Sequence, residues 1–345
     1  MAVYELNPLQ DSRWARFVQQ HPRASVFHSP PWLDALQRTY GYAPVVVSTC
    51  PVNEPLSNGL VFCQVKSWLT GRRLVSLPFS DHCAALVESN EQLDTLLMHV
   101  KRSVDDKQWR YVEIRPALCQ PGHGTQLGQS NTYFLHRLDL TRGREQLFQG
   151  FHKDCVQRKI RRAEREQLHY EEGRSEAQLN KFYRLLVMTR KRQHLPPQPL
   201  AWFRGLIAAF GDQLKIRIAS KDGMAVASIL TLACKQVMTY KYGCSDARYN
   251  KFGGTALLFW RTIQEAQELG FEELDMGRSD LDNTGLVVFK EHWGATRSML
   301  SYWRYPNRHQ LSPNAWGVRL AKQLVSAAPD LSLEAAGSLL YRHIG

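Results

Sequence analysis

The sequence predicts an α+β fold with mixed sheets, made of two similar halves and closed by a short helical tail. Its 345 residues are enough for two domains of ordinary size. Apolar alternation with β-branched content indicates strands, and longer amphipathic segments indicate helices. Each half then follows one order: helix, helix, three-strand meander, helix, strand, strand. This order favours a duplicated α+β unit over a doubly wound parallel sheet.

The first half begins with helices at about 10–20 and 30–39. Three strands follow, at APVVVST, GLVFCQVKSW and RRLVSLPF. A helix at NEQLDTLLMHVKRSVDD then leads to strands at WRYVEIRP and TYFLHRLDL. We place this domain at residues 1–141.

The second half repeats the order with helices at 175–194 and 199–211. Its strands are predicted at LKIRIAS, MAVASILTLAC and KQVMTYKYGC, followed by a helix at TALLFWRTIQEAQELG and strands at EELDMG and SMLSYWRYP. We place this domain at 142–308, and a tail at 309–345 with helices at NAWGVRLAKQLV and SLEAAGSLLYRHIG.

The composition indicates the cellular compartment of the protein and the charge of its partner. The first residues lack a basic leader with an apolar run, and the longest apolar stretch is too short to span a bilayer, so we expect a cytoplasmic protein. Seven scattered cysteines without paired spacing predict free thiols and no metal site. The net charge of +12 predicts an anionic partner. The excess is local, because residues 142–192 hold fourteen Lys and Arg against seven Asp and Glu.

The most basic stretch is HKDCVQRKIRRAERE, residues 152–166, which we predict to be helical. Its projection places four arginines in one stripe, opposite a packing face of Val156, Ile160 and Ala163. The arginines of this stripe are Arg158, Arg161, Arg162 and Arg165. Arginines at such spacings repel each other, which favours a bound anion such as phosphate. The alternative is a solvated amphipathic helix.

A second motif, KFGGTALLFWRTIQEAQELG, follows a strand and opens a helix. Glycine allows close backbone approach, and the first amides of a helix lack internal partners, so this turn is suited to a pyrophosphate. The alternative is a simple turn with a helix cap. The candidate donor-binding residues are Lys251, Gly253, Gly254, Thr255 and Ala256.

Two further stretches carry titratable residues at predicted strand ends. In GRSDLDNTGLVVFKEHWGA, Asp275 and Lys290 are candidate catalytic groups, with a loop-capping carboxylate and a surface lysine as the alternatives. In PFSDHCAALV, Asp81 and His82 form a candidate general base or a loop-structuring pair, and Cys83 is expected to be inert. Arg278 and Tyr242 are assigned to acceptor binding together with the arginine stripe.

These motifs together resemble the Fem-type and related double acetyltransferase-fold proteins. The run from YGCSDARYNKFGG to VVFKEHWGA resembles their second half, and FHKDCVQRKIRRAEREQL, LPFSDHCAALV and SLLYRHIG resemble further parts. The group includes aminoacyl-tRNA-dependent transferases that build peptidoglycan cross-bridges and acyltransferases of cellulose and exopolysaccharide synthesis. The resemblance implies two tandem GNAT domains, matching the repeated order of elements.

The resemblance also implies an activity: transfer of an acyl group from acyl-CoA to an amine of an anionic acceptor in envelope or exopolysaccharide synthesis. The alternative is an aminoacyl-tRNA-dependent transferase, disfavoured because no segment has room for the long helical hairpin of many such enzymes. A third hypothesis is a non-catalytic nucleic-acid binder, although 152–166 lacks interleaved aromatics. The expected acceptor is an anionic small molecule, a lipid-linked precursor or a sugar nucleotide. We expect no DNA partner and no metal, and keep tRNA and the inner membrane face as further partners.

Overall fold

A computed structural model describes residues 2–68, 70–116, 126–307 and 330–344. The chain divides into two compact units. The described residues of unit 1 lie within 1–133, 299–311 and 339–345, and those of unit 2 within 134–298 and 312–338.

The described strands are β1 (Tyr4–Leu6), β2 (Ala43–Ser48), β3 (Leu60–Ser67), β4 (Gly71–Val75), β5 (Tyr111–Ile114), β6 (Gly128–Asp139), β7 (His169–Gly173), β8 (Leu214–Lys221), β9 (Met224–Cys234), β10 (Val237–Ser245), β11 (Glu273–Asp280) and β12 (Thr296–Tyr305). The described α-helices are α1 (Ser12–Gln20), α2 (Pro30–Tyr40), α3 (Asn90–Asp106), α4 (Arg144–Gly150), α5 (Arg158–Arg165), α6 (Glu176–Arg192), α7 (Leu200–Phe210), α8 (Gly254–Glu268), α9 (Thr284–Glu291) and α10 (Asp330–Ile344).

The sheet of unit 1 has the order β1-β2-β3-β4-β5, with the end of β12 beside β5. Its neighbours pair antiparallel except β4 and β5, which are parallel and joined through α3. Helix α3 begins at the cap Ser89, whose hydroxyl accepts the amide of Gln92 at 3.2 Å. Leu93, Leu97 and Val100, at helical spacing, bury one face of α3 in the core of this unit.

The sheet of unit 2 has the order β7-β8-β9-β10-β11, with the end of β6 beside β11. Strands β7 to β10 are antiparallel, and β10 and β11 are parallel and joined through α8. The parallel pairing covers Val237–Thr239 against Glu273–Asp275, and both strands continue beyond it. A bulge in β10 between Tyr240 and Tyr242 bends the strand after this point. The carboxyl ends of β10 and β11 are where a ligand is expected in such a sheet.

The α+β class and the repeated order of elements are confirmed, because both sheets contain an antiparallel meander followed by a helix and a parallel strand. The prediction missed β1 and β7, which are short, and β7 has the polar sequence HYEEG. It also missed α4 and α9; the sequence of α9, TGLVVFKE, is rich in β-branched residues, but Asn283 caps it as a helix. Segment 153–157 forms one π-helical turn before α5. The predicted tail helix at 314–325 lies outside the described residues.

His28 is buried in unit 1 with both ring nitrogens in hydrogen bonds. Nδ1 accepts the amide of Ser25 at 3.1 Å, and Nε2 lies 2.9 Å from the carbonyl oxygen of Ala84. Burial lowers the pKa of His28 to about 4, and the neighbouring His82 adds to the effect. The imidazole is therefore neutral in the folded protein at pH 7.

This burial predicts a loss of stability in mild acid. The folded state protonates His28 only near pH 4, whereas an unfolded histidine takes a proton near its ordinary pKa of 6.5. The free energy of unfolding should therefore be highest above pH 6.5 and fall towards pH 4, with up to about 3 kcal/mol due to His28. Urea unfolding at several pH values measures this. His28→Gln should flatten the dependence, whereas the exposed His169→Gln should not; equal slopes for the two variants would refute the assignment.

Candidate functional site

A pocket of about 200 Å³ lies in unit 2 at the start of α8. Its lining comes from the π-helical turn at 153–157, α5, the end of β10, the turn before α8, the first turn of α8 and the region around α9. The lining residues are Cys155, Lys159, Ser245, Asn250, Gly253, Thr255, Ala256, Phe289 and Trp293. Three of the predicted donor-binding residues, Gly253, Thr255 and Ala256, therefore lie at one pocket.

Gly253 forms the turn that opens α8. Its φ of +79° is in the left-handed region that glycine adopts without strain. A Cβ atom at this position would lie 2.2 Å from the carbonyl oxygen of Lys159, so only glycine allows α5 to approach α8 this closely. The first helical hydrogen bond runs from Leu257 to Gly253, which leaves the amides of residues 254–256 without a partner within the helix. Those amides and the helix dipole favour an anion.

The lining is rich in hydrogen-bond donors and, among the described residues that form it, none is acidic. Lys159 contributes an ammonium group from α5. Trp293 is 1% exposed, and its buried indole N–H has no acceptor within the described part of the chain. A buried donor of this kind is costly unless a ligand or water accepts its hydrogen bond. The pocket therefore suits an anionic or acceptor-rich group.

The other two predicted donor-binding residues face elsewhere. A Cβ atom on Gly254 would meet Ala227 at 3.2 Å and Val226 at 3.4 Å, so Gly254 is turned towards the sheet and lets α8 pack on it. Lys251 is exposed, with its Nζ atom 5.1 Å from the ring centroid of Phe252.

The arginine stripe lies on the exposed face of α5, and Val156, Ile160 and Ala163 on the opposite face are buried, as predicted. Arg158 pairs with Asp154 at 3.1 Å and Arg162 with Glu166 at 2.5 Å. Arg161 lies 5.6 Å from the ring centroid of Phe148. Exposed ion pairs of this type contribute little stability and exchange readily for another anion.

The side chains of Asp275 and Lys290 converge on the backbone of β11 at Gly277 and Arg278. Lys290 is 1% exposed, and its Nζ atom donates to the carbonyl oxygens of Gly277 at 2.8 Å and Arg278 at 2.9 Å. The Asp275 carboxylate is also buried and accepts the amide of Gly277 at 2.8 Å. Lysine and carboxylate thus hold the same short stretch of backbone, just after the pairing of β11 with β10 ends.

His136 belongs to this region and was not among the residues predicted from the sequence. It lies on β6, is fully buried, and neither ring nitrogen has a partner among the described residues. Burial lowers its pKa to about 4, and the charges of Lys290 and Arg297 add to the effect. Its neighbours in sequence, FLHRL, gave no sign of this because a histidine within an apolar strand resembles any buried residue.

Tyr242 lies on β10 and was assigned to acceptor binding. It is buried in a cluster of aromatic side chains. Its hydroxyl accepts the indole N–H of Trp202 at 2.9 Å, and the rings of Phe182 and Phe203 pack against it.

Asp81 and His82 lie in unit 1 after β4. The backbone carbonyl of Asp81 accepts the hydroxyl of Tyr302 at 2.6 Å, and the ring of His82 packs edge-on against Phe27 at 5.3 Å. The thiol of Cys83 lies 3.4 Å from Nε2 of His28, but burial raises its pKa. Cys83 is therefore a neutral thiol, in agreement with its expected inertness.

Residues 152–291, which include α5, the first turn of α8 and Lys290, match the family model described as an acetyltransferase (GNAT) domain. The second half of the chain contains a GNAT domain. Within this GNAT domain, the end of β10 at Ser245 and the turn at Gly253 line the same pocket. No curated protein sequence matches the chain.

Solved structures extend the likeness to most of the chain. FemX superposes with a TM-score of 0.68 at 14% identity, covering 94% of this chain and 100% of FemX. The C-terminal domain of a putative lysylphosphatidylglycerol synthetase from Agrobacterium fabrum gives 0.58 at 14%, covering 93% and 98%. A tandem GNAT protein from the clavulanic acid biosynthesis pathway gives 0.55 at 11%, covering 88% and 98%. At these identities the likeness shows a shared fold.

The chain therefore has the double acyltransferase fold of the GNAT and Fem type, as its sequence resemblance implied. Within the described residues, no helix is long and apolar enough to cross a bilayer.

Proposed function

We propose that the protein is an N-acyltransferase that moves an acyl group from acyl-CoA to an amine of an anionic acceptor. The observation that supports this most is the pocket at the start of α8, within the GNAT domain. It offers helix amides, a lysine ammonium and a buried indole N–H to a phosphate-bearing donor. Its volume of about 200 Å³ suits one end of such a donor, since pockets that enclose whole ligands span roughly 300–1,000 Å³.

The proposed reaction is direct. The acceptor amine loses a proton, attacks the thioester carbonyl, and the thiolate of coenzyme A leaves. A thiol, with a pKa of about 8.5, leaves with little assistance. Catalysis therefore rests mainly on positioning the two substrates and on donors for the developing oxyanion. The base is assigned to Asp81 or His82, or to a water chain.

The arginine stripe on α5 is proposed to hold the acceptor. Its guanidiniums are exposed and bind phosphate or carboxylate in a bidentate manner. The pair with Asp154 is solvent-exposed and the pair with Glu166 is partly exposed, so an incoming anion replaces them at small cost. A precursor of the envelope or of an exopolysaccharide fits this description, and the resemblance to such acyltransferases is the basis for that choice.

The second candidate function is aminoacyl transfer from charged tRNA. Its leaving group is a ribose hydroxyl, which is more basic than a thiol and needs a cation nearby. The buried ammonium of Lys290, at the end of β11, is the observation that favours this alternative.

One experiment separates the two donors. The pure protein is titrated by calorimetry with a panel of acyl-CoAs and, separately, with charged tRNAs, and mass spectrometry follows hydrolysis or transfer of the acyl group. We expect binding and turnover of an acyl-CoA. Binding of charged tRNA alone would replace the first proposal by the second, and binding of neither would exclude both.

A charge placed at the pocket tests the donor site itself. Thr255→Glu adds a carboxylate in the first turn of α8, where the helix dipole stabilises it by about 0.3–1 kcal/mol. The same carboxylate repels the phosphates of the donor, so we expect affinity for acyl-CoA to fall at least ~10-fold without loss of stability. Calorimetry and urea unfolding measure the two effects.

Thr255→Gln is the matched control, because it adds nearly the same volume without charge. It should retain most of the affinity. If both variants bind acyl-CoA like the parent protein, the donor does not lie at the start of α8.

A further inference from the structure

Three side chains with metal-binding atoms converge beside the pocket. They are His152, which caps the π-helical turn before α5, Cys155 within that turn, and His292, which follows α9. One candidate ligand atom from each lies within 4.8 Å of the other two. The rings of His152 and His292 are 4.2 Å apart between centroids. We call these three residues the His-Cys-His cluster.

The backbone holds the cluster together. The amide of His152 donates to the carbonyl oxygen of His292 at 2.9 Å, which ties the π-helical turn to the end of α9. Cys155 stands three residues after His152, so both side chains project from one helical turn. The relative position of the three residues is thus fixed by main-chain contacts.

We infer that the His-Cys-His cluster is a binding site for a divalent metal ion of the zinc class. Two imidazole nitrogens and one thiolate sulfur are a ligand set typical of Zn²⁺, and three protein ligands leave a fourth position open for water or substrate. Because Cys155 also lines the pocket, a bound ion lies at the pocket wall.

The three candidate ligand atoms must move slightly closer together to bind a metal ion. Zn–N bonds of about 2.0–2.1 Å and Zn–S bonds of about 2.3 Å place tetrahedral ligand atoms roughly 3.3–3.7 Å apart. His152 is exposed and can supply this movement by rotation of its side chain. Coordination through its Nδ1 would replace the 3.2 Å hydrogen bond from the amide of Cys155, a first-turn amide that water can reach.

The charges around the cluster determine how strongly a metal ion is expected to bind. Cys155 binds as a thiolate and offsets one of the two metal charges. Lys159 lines the same pocket, and its ammonium opposes the cation. Its exposed side chain can turn away, and an anion in the pocket would be attracted by both charges. We therefore expect the ammonium of Lys159 to weaken metal binding, and an anion in the pocket to offset this effect.

Cobalt substitution tests the site without relying on activity. The protein is stripped with chelator, passed through a desalting column and titrated with Co²⁺ while its absorption spectrum is recorded. We expect one Co²⁺ per chain, a tetrahedral visible spectrum and a near-ultraviolet sulfur-to-cobalt charge-transfer band. Added Zn²⁺ should displace Co²⁺ and remove all of these absorption bands.

Two variants identify the ligands. Cys155→Ser should remove the charge-transfer band, and His292→Ala should weaken Co²⁺ binding at least ~10-fold. Cys234→Ser, which changes another half-buried thiol of the same unit, is the matched control and should behave like the parent protein. Far-ultraviolet circular dichroism confirms that each variant is folded. A band that survives Cys155→Ser, or octahedral cobalt without sulfur ligation, would overturn the inference.

Discussion

Gly253→Ala is expected to cost the protein about 2–5 kcal/mol of unfolding free energy. A non-glycine residue in the left-handed region loses roughly 1–2 kcal/mol. The new methyl group would also lie 2.2 Å from the backbone oxygen of Lys159, and overpacking of this type adds about 1–3 kcal/mol. The backbone atom cannot turn aside, so α5 must move away from α8. Urea unfolding measures the loss, and calorimetry should show weaker donor binding.

Gly270→Ala is the control that separates the backbone strain of a positive φ from the steric contact of the new methyl group. Gly270 has a φ of +78°, nearly that of Gly253, but nothing lies within 4 Å of the position of its Cβ atom. It should therefore lose only the conformational part, roughly 1–2 kcal/mol. If the two variants are equally stable, the close approach of α5 and α8 does not constrain position 253.

Lys290→Met is expected to lower stability by roughly 1–4 kcal/mol and to slow transfer by about 10²-fold. Without the ammonium, the carbonyl oxygens of Gly277 and Arg278 each lose the hydrogen bond from Lys290, at about 1–3 kcal/mol each, partly offset because no charge has to be buried. The end of β11 is then free to shift, and a misplacement of about 1 Å at a reaction centre costs about 10²-fold in rate.

Lys290→Gln provides the test of the positioning role. Its amide can donate to one carbonyl oxygen, so stability and rate should both be intermediate between those of the parent and Lys290→Met. Lys153→Met, at an exposed position, serves as the stability control. A Lys290→Met protein that retains its stability and transfers the acyl group at an unchanged rate would contradict the positioning role of Lys290.

The sequence predicted the helical stripe correctly because its signal is local. The positions of Arg158, Ile160 and Arg161 within a single helical turn decide which face is buried, whatever the helix contacts. The helix α9 was missed because the local signal of its sequence indicates a strand. TGLVVFKE carries strand-like β-branched residues, and only its cap and its packing make it helical.

The pocket could be predicted only in part. The two glycines drew attention to the start of α8, but Cys155 and Lys159 enter the same pocket from a segment nearly a hundred residues earlier in the chain. Lys159 stands among five arginines and lysines, and nothing local distinguishes it. The distinguishing feature is a contact of α5 with Gly253, which depends on the tertiary fold.

The buried polar residues were the hardest to anticipate. Lys290 and His136 are both almost inaccessible, although a lysine near a helix end and a histidine in a strand are usually solvated. Their burial follows from the position of β11 in the sheet. That position is set by pairing with strands distant in sequence, so it leaves no periodic signal.

The pairing of β12 with β5 has a consequence for the order of biosynthesis. The sheet of unit 1 is completed by residues 303–305 of β12, which pair with β5, and the guanidinium of Arg304 meets the buried carboxylate of Glu113 at 2.7 Å. A ribosome must therefore synthesise all of unit 2 up to β12 before the first sheet acquires its last strand. Until then β5 presents an open edge, to which other nascent chains can add. The amino-terminal half begins to fold first and is completed last.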